Sequence, residues 1–508
     1  MQVLNVDVAI IGAGSAGMPA YRAAKAAGQR VVIIEGGPYG TTCARVGCMP
    51  SKLLIAAAEA AHAVHAAPGF GVLTAPPQID GPAVLARVRS ERDRFVGFVL
   101  ESVESFPPED RLRGYARFLD PHTLQIDAVN DSGAASAEFA ESGMAPLQVR
   151  AASIVIATGS SANRLPELAG AGNLLQICDD VFEWPDLPKR VAVIGTGVIA
   201  LELGQALSRL GVQVAIFGRS TNLAHLSDPK VLESARATLG AELDIRPNTR
   251  ILGSAREGMQ AVLHFRAQDG SEQRELFDFI LAASGRTPNL AQLAMANSGL
   301  QLDARGIPVF DSHTMQCVDA ASGQGSHIFI AGDVDDETPL LHEAADQGKI
   351  AGHNAGRFAA NLANPASAVE PGLRRAKMAV AFCDPQIASV GSGFAALQAS
   401  MPGCFVCGEV SFHNQGRSRV MLQNRGLLRV YARCSDGRFL GAEMIAPRAE
   451  HMAHLLAWAL QAEMTVDTML DMPFYHPVIE EGLRTALRDL QQQLKHGCVD
   501  CEDCRPGC

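Results

Sequence analysis

The sequence predicts an α/β protein with two Rossmann-like domains and a C-terminal α+β region. Three observations carry that expectation. A length of 508 residues suits about three domains at roughly 150 residues each. An apolar run ending in G-x-G-x-x-G or its close variant occurs twice, each time followed by a helix-like stretch and a second apolar run. From about residue 371 the pattern shifts to short strands, such as 426–431, and helices near 449–461 and 477–494.

Composition narrows the class. Hydrophobic residues make up 47% and charged residues 19%, which excludes disorder over most of the chain. A net charge of −11 argues against nucleic acid or an anionic membrane as partner, because phosphates select a surplus of Lys and Arg. The first residues carry no basic export region, and no run of 18 apolar residues stands out. The expectation is a cytoplasmic protein without a membrane span.

The elements follow in order. Val8–Ile11 reads as a buried strand that runs into Gly12, Gly14 and Gly17. An alanine-rich helix to Gly28 and a strand at 31–34 follow, and Glu35 stands 23 residues after Gly12. The glycines permit a tight turn and close approach of a pyrophosphate, the helix N-terminus stabilises its charge, and the acid suits a ribose hydroxyl. The pattern returns at 191–194 with Gly195, Gly197 and Ala200, a helix to Gly211 and a strand at 212–217. One such loop is weak evidence, whereas two in matching context predict two bound dinucleotides. The second copy has Gly218 and then Arg219 where the first has its acid. That favours the 2′-phosphate of NADP(H), without excluding NAD(H) or a simple surface role for Arg219. A strand at 153–157 delivers Thr158 and Gly159 to a turn, and another at 327–332 ends in Asp333, which suits either a helix cap or a flavin ribityl contact. Residues 129–149 read as a loop.

Twelve cysteines are too few for a disulfide scaffold, but they cluster. Cys43 and Cys48 form one pair, Cys404 and Cys407 another, and Cys498, Cys501, Cys504 and Cys508 crowd the last residues. Such clusters point to redox or metal chemistry. Cys43 and Cys48 can bridge if they occupy the first turn of a helix, where the helix dipole and Lys52 lower thiolate pKa. Cys404 and Cys407 read as packing residues on one strand, facing opposite ways. Cys178, Cys317, Cys383 and Cys434 also read as packing.

The run Thr42-Cys43-Ala-Arg-Val-Gly-Cys48-Met-Pro-Ser-Lys52 resembles the flavin-dependent pyridine nucleotide–disulfide oxidoreductases, and among them the dihydrolipoamide dehydrogenases. The likeness spans residues 6 to about 490. It includes the order of the motifs: Ala157-Thr158-Gly159, Gly285-Arg286-Thr287-Pro288-Asn289, Ala331-Gly332-Asp333 and the run from Phe382 to Gly391. The resemblance implies FAD held through Gly12, Gly14, Gly17, Glu35 and Asp333, with Cys48 against the flavin, Cys43 exchanging with substrate, and Lys52 near the flavin N5 paired with Glu202. It implies that His476, ahead of Pro477, is the acid/base oriented by Glu481 and supplied across a homodimer. It also implies a layout of FAD-binding residues 1–155 and 287–365, NAD(P)-binding residues 156–286, a dimerisation domain over 366–490 and a cysteine tail over 491–508.

The activity so implied is electron transfer between a small dithiol or lipoyl-bearing protein, a Cys43–Cys48 disulfide, FAD and NAD(P)(H). Two alternatives stand beside it. One is an NADPH-driven reductase of another disulfide or a metal ion, with the tail as relay. The other is a metal-binding or redox-sensing protein that keeps the flavin fold. The sequence departs from the family pattern in three places: Arg219 with His225 gives half of an arginine pair that suits NADPH, Thr41 replaces a usual glycine, and the tail is extra. The tail fits a dithiol relay, a soft-metal site or an appendage without a role. Mercuric reductases share the cysteine motif and a cysteine tail, but His476 stands where they usually carry Tyr, so that activity is disfavoured.

Overall fold

The computed structural model describes residues 2–129, 147–364 and 368–497. The described residues fall into two compact units, one within 2–50, 89–162 and 286–374, the other within 51–88, 163–285 and 375–497.

The first unit is built on a parallel sheet. Gly325–Ile330, Leu147–Ile156, Val3–Ile11 and Val31–Glu35 lie side by side in that order, and Arg111–Asp120 extends the row. These strands read as continuous apolar runs because both faces are covered. Val8, Ile10 and Ile33 pack on one face with helices Gly17–Ala26 and Leu341–Ala360, while Ala9, Ile11 and Ile34 fill the other. Thr123–Ala128 pairs antiparallel with both Arg111–Asp120 and the start of Leu147–Ile156. The parallel strands therefore end together, and the turns after them collect Gly12, Thr158 and Asp333.

The second unit holds two sheets of five strands. In the parallel one, Gln213–Phe217, Arg190–Ile194 and Phe279–Ala282 are central, flanked by Asp244–Arg246 and Leu175–Ile177. The antiparallel one runs Met378–Ala381, Gln386–Gly391, Phe439–Ala446, Leu427–Arg433, Phe405–Ser411. Helices Ala449–Gln461 and Glu481–Gly497 contribute Met452, Leu456, Leu483, Leu487 and Leu490 to its core.

Several expectations are corrected. The last helix begins at Glu481, not at Pro477: residues 476–480 form turns and the His476–Pro477 bond is cis. The two cysteines do not share a first helical turn. Cys43 lies in helix Thr42–Val46, and Cys48 opens a second helix, Cys48–Ala66. Cys404 precedes the strand that contains Cys407. Of the expected loop 129–149, residues 130–146 lie outside the described residues, and the strand Leu147–Ile156 begins within it. The stretch Thr42–Phe70 is, by length and composition alone, apolar enough to cross a bilayer, a measure that the core helix of a protein without a membrane span also meets. Its apolarity comes largely from alanine, and it includes Lys52 and Glu59.

Candidate functional site

The first glycine loop separates glycines needed by the fold from one that leaves room. Gly12 has φ +105°, and a side chain there would collide with the Ala157 carbonyl. At Gly14 a Cβ would meet nothing within 4 Å, so the space beside it is left to whatever approaches the loop. The second loop repeats the pair: Gly195 has φ +125° and is crowded by Ala283, whereas Gly197 is open. Ala200 is fully buried in the helix that follows.

Glu35 faces the first loop. Its Oε2 accepts from Ala13 N at 2.8 Å and its Oε1 from Gly37 N at 2.7 Å. Burial pushes its carboxyl above the usual range, and the two backbone donors oppose that shift. Across the sheet end, Asp333 Oδ2 accepts from Ser160 Oγ at 3.0 Å. Arg286 donates to Ser160 Oγ and O, and Asn289 Nδ2 donates to Thr158 O. The strands Ser160–Ala162 and Arg286–Pro288 pair antiparallel, so the Thr158–Gly159 turn, the 286–289 segment and Asp333 form one polar network. Four buried side-chain polar atoms in this unit lack a hydrogen-bond partner among the described residues: Arg111 Nε, Thr158 Oγ1, Asp335 Oδ2 and Gln347 Nε2. Unpaired buried groups are costly unless a ligand or water satisfies them. With the open face at Gly14, they fit a dinucleotide such as FAD.

Cys43 is half-buried and Cys48 exposed. Gly47 joins their helices so tightly that an added Cβ would lie 3.1 Å from the Thr42 carbonyl oxygen and 3.2 Å from Cys43 Cα. The chain thus turns back on the first cysteine just before the second, which only glycine permits without a shift of backbone.

In the second unit, Lys52 Nζ lies 2.8 Å from Glu202 Oε2, a pair 150 residues apart in sequence. Glu202 is 4% exposed, and its other oxygen accepts from Phe382 N at 2.8 Å. Lys52 also sits over the Phe382 ring, 4.7 Å from its centre. One and two turns further along the Glu202 helix, Gln205 and Arg209 grip the same loop. Gln205 accepts from Asp384 N and donates to Asp384 O, while Arg209 binds Asp384 Oδ2 and both oxygens of Glu242. The sequence reading missed this clamp. Helical spacing puts 202, 205 and 209 on neighbouring turns but does not report the loop they grip. It also missed Ser160, Asp335 and Gln347.

After the strand Gln213–Phe217 no carboxylate appears through Asn222. Arg219 and His225 are exposed. Ser284 Oγ, beside Gly285, is another buried atom without a partner among the described residues. His476 is 79% exposed, and its Nδ1 donates to the Glu481 carboxylate at 3.0 and 3.1 Å. The hydrogen bond to His476 holds the Glu481 carboxyl below the usual range. Glu481 is the first residue of its helix, where the dipole favours a negative charge. Nε2 of His476 has no protein partner among the described residues. Cys178, Cys317 and Cys383 are buried, and Cys404, Cys407 and Cys434 partly so. The four tail cysteines lie outside the described residues.

The chain matches the model of the pyridine nucleotide-disulphide oxidoreductases over residues 6–348 and that of their dimerisation domain over 378–487. It is 31% identical to a mercuric reductase of Shigella flexneri, covering 96% of this chain and 82% of that protein. It is 28% identical to a dihydrolipoyl dehydrogenase of Thermus scotoductus, covering 96% and 98%. Among solved structures, LpdA from Mycobacterium tuberculosis superposes with a TM-score of 0.75 at 22% identity over 96% of this chain and 99% of that one. A Cu(II) complex of the flavoprotein disulfide reductase RclA from Escherichia coli gives 0.75 at 20% over 95% and 99%. Both share the fold of two dinucleotide-binding domains and a dimerisation domain.

Proposed function

We propose that this chain, which belongs to the pyridine nucleotide-disulphide oxidoreductase family, oxidises a small dithiol or reduces its disulfide in the manner of a dihydrolipoamide dehydrogenase. The family is FAD-dependent and works with NAD(P)H. The observation that carries the reading is the His476–Glu481 hydrogen bond. With Nδ1 engaged by the carboxylate, Nε2 is left facing solvent, as a proton acceptor for a thiol must be.

In the dithiol-oxidising direction, Nε2 removes the proton of one substrate thiol, and Glu481 stabilises the imidazolium. The thiolate attacks Cys43 Sγ of a Cys43–Cys48 disulfide, and the bonding pair of that disulfide leaves on Cys48 as thiolate. The second substrate thiol attacks the substrate sulfur of the mixed disulfide. It closes a cyclic disulfide, and its proton passes to the departing Cys43. The product is substrate disulfide, Cys43 thiol, Cys48 thiolate and a proton on His476. Bound FAD supplies a two-electron relay between this dithiol and the nicotinamide. Gly12, Gly14, Gly17, Glu35, Thr158, Gly159 and Asp333 would hold it; Gly195, Gly197, Ala200, Arg219 and Gly285 would hold the nicotinamide dinucleotide, with Arg219 favouring NADP(H). Lys52, steadied by Glu202, would place a positive charge near the flavin. Two copies would pair through the region matched to the dimerisation domain, His476 of each serving the other's cysteines.

The test is reduction of NAD+ and NADP+ by dihydrolipoamide. His476→Gln should lower kcat/KM by about 10²–10⁴, and Cys48→Ser should abolish turnover. Wild-type rates in either variant would overturn the proposal. A second reading, reduction of a soft metal ion, is favoured by mercuric reductases among the relatives at 31% and 29% identity. Hg(II)-dependent NADPH oxidation that is lost on deleting residues 498–508 would select it.

A further inference from the structure

We infer that a groove beside His476 binds the free carboxylate of a short-chain aliphatic dithiol or disulfide acid, so that the preferred substrate is an acid rather than its neutral amide. The inference rests on the proposed dithiol chemistry and adds what the substrate carries. The groove has a volume of about 370 Å³ and begins at Pro477, the neighbour of His476 in the chain. Met421, Pro477, Val478 and Ile479 make its apolar part, which suits a methylene chain.

Arg417 and Arg448 line it, and neither is ion-paired among the described residues. The single acid in the wall, Glu480, lies 3.8 Å from His451. The wall itself carries two guanidinium groups and one carboxylate, with Glu59 near enough to feel the charge of Arg448 and Glu450 3.8 Å from His451. Arg448 also occupies a position that stability alone disfavours. It has φ +54°, in the left-handed region, and stands just ahead of helix Ala449–Gln461, where the dipole repels a cation. Such strain recurs where a side chain is placed for a ligand. An acid whose sulfur reaches His476 while its aliphatic chain lies along Val478 and Met421 would meet both arginines with its carboxylate.

The experiment compares dihydrolipoate with dihydrolipoamide in the FAD-loaded enzyme, which differ by carboxylate against amide. Arg417→Met/Arg448→Met should lose at least tenfold in kcat/KM for the acid and less than twofold for the amide. Arg417→Lys/Arg448→Lys should recover most of the loss, and added salt should lower the wild-type preference for the acid. Equal loss on both substrates, or no loss on the acid, overturns the inference. So does a change from dimer to monomer in the Met variant by light scattering, which would assign the groove to a second copy of the chain. If the wild type turns over neither substrate, the proposed function fails on its own. The groove is then judged by calorimetry with octanoate: binding that the double Met variant loses supports it, and no binding to the wild type refutes it.

Discussion

Arg209→Met tests the clamp that holds the Phe382–Asp384 loop. Arg209 is 5% exposed, and it contacts Glu242 at 2.6 and 3.0 Å and Asp384 at 3.1 Å. Methionine fills similar space but leaves two carboxylates without their cation. Removing one partner of a buried pair costs about 3–5 kcal/mol. Because Glu242 and Asp384 keep about a fifth of their side chains in solvent, the lower end applies, about 3 kcal/mol. At roughly 2–4 °C per kcal/mol this is a drop in Tm of about 6–12 °C. The pH dependence gives the sharper readout. Burial by itself would raise the Glu242 carboxyl, but the hydrogen bond and charge of Arg209 outweigh it and the net shift is downward. A carboxyl lowered on folding contributes stability above its unfolded pKa, and that contribution is lost as pH falls through the lowered folded value. In the variant, burial is opposed only by the weaker effects of His62 and Gln205, and the carboxyl moves up. The gap in Tm between wild type and variant should therefore narrow as pH falls from 7 through the carboxylate range. A gap that stays constant to pH 3.5, or a drop below about 1 °C at pH 7, would refute the reasoning.

Three further outcomes follow from the same geometry. Burial pushes the Asp335 carboxyl up to about 6 from an unfolded value of 3.8. A carboxyl raised on folding contributes stability that is complete below the unfolded pKa and lost as pH rises through 6, so Asp335→Asn should stabilise the cofactor-free protein at pH 8 by about 2–3 kcal/mol relative to pH 4. A urea midpoint difference that does not change with pH would count against it. Gly14→Ala should leave Tm of the cofactor-free protein nearly unchanged and raise the FAD dissociation constant at least tenfold, whereas Gly12→Ala should impair folding itself; flavin fluorescence and circular dichroism separate the two. Arg219→Ala should reduce kcat/KM for NADP+ about tenfold and leave NAD+ within twofold, and equal effects on both would remove Arg219 from 2′-phosphate recognition.

The parts of this fold legible in the sequence are those in which local pattern and tertiary demand agree. Val8–Ile11 and Val191–Ile194 are apolar because both faces of a parallel strand are covered, and the glycines after them are spaced by the turn they must make. Where a single residue decides the outcome, the pattern misleads. Pro477 reads as the start of a helix, but turns occupy 476–480 and Glu481 starts the helix, which is what leaves His476 on a loop with Glu481 within reach. Gly47 is unremarkable in sequence, yet it splits one expected helix into two. The Lys52–Glu202 pair spans 150 residues, and spacing alone does not report it; only the resemblance suggested it. The contacts of Gln205 and Arg209 with Asp384 and Glu242 depend on how loops meet, which no local period encodes.

Identity does not decide between the two chemistries, since the mercuric reductases and dihydrolipoyl dehydrogenases stand within a few percent of one another, at 27–31%. Such differences accumulate at surfaces and in interchangeable core positions, whereas substrate choice is made by a few groups at a site. In the proposed reading His476 on Glu481 is one of them. A soft metal ion has no proton to give up, so a solvent-facing Nε2 would serve metal reduction poorly and thiol oxidation well. The arginines of the adjoining groove point the same way, because a guanidinium repels a metal cation and attracts a carboxylate. If both features act together, His476→Gln should lower kcat/KM for dihydrolipoate while leaving octanoate binding intact. Loss of octanoate binding in that variant would mean that the imidazole shapes the groove rather than moving the proton.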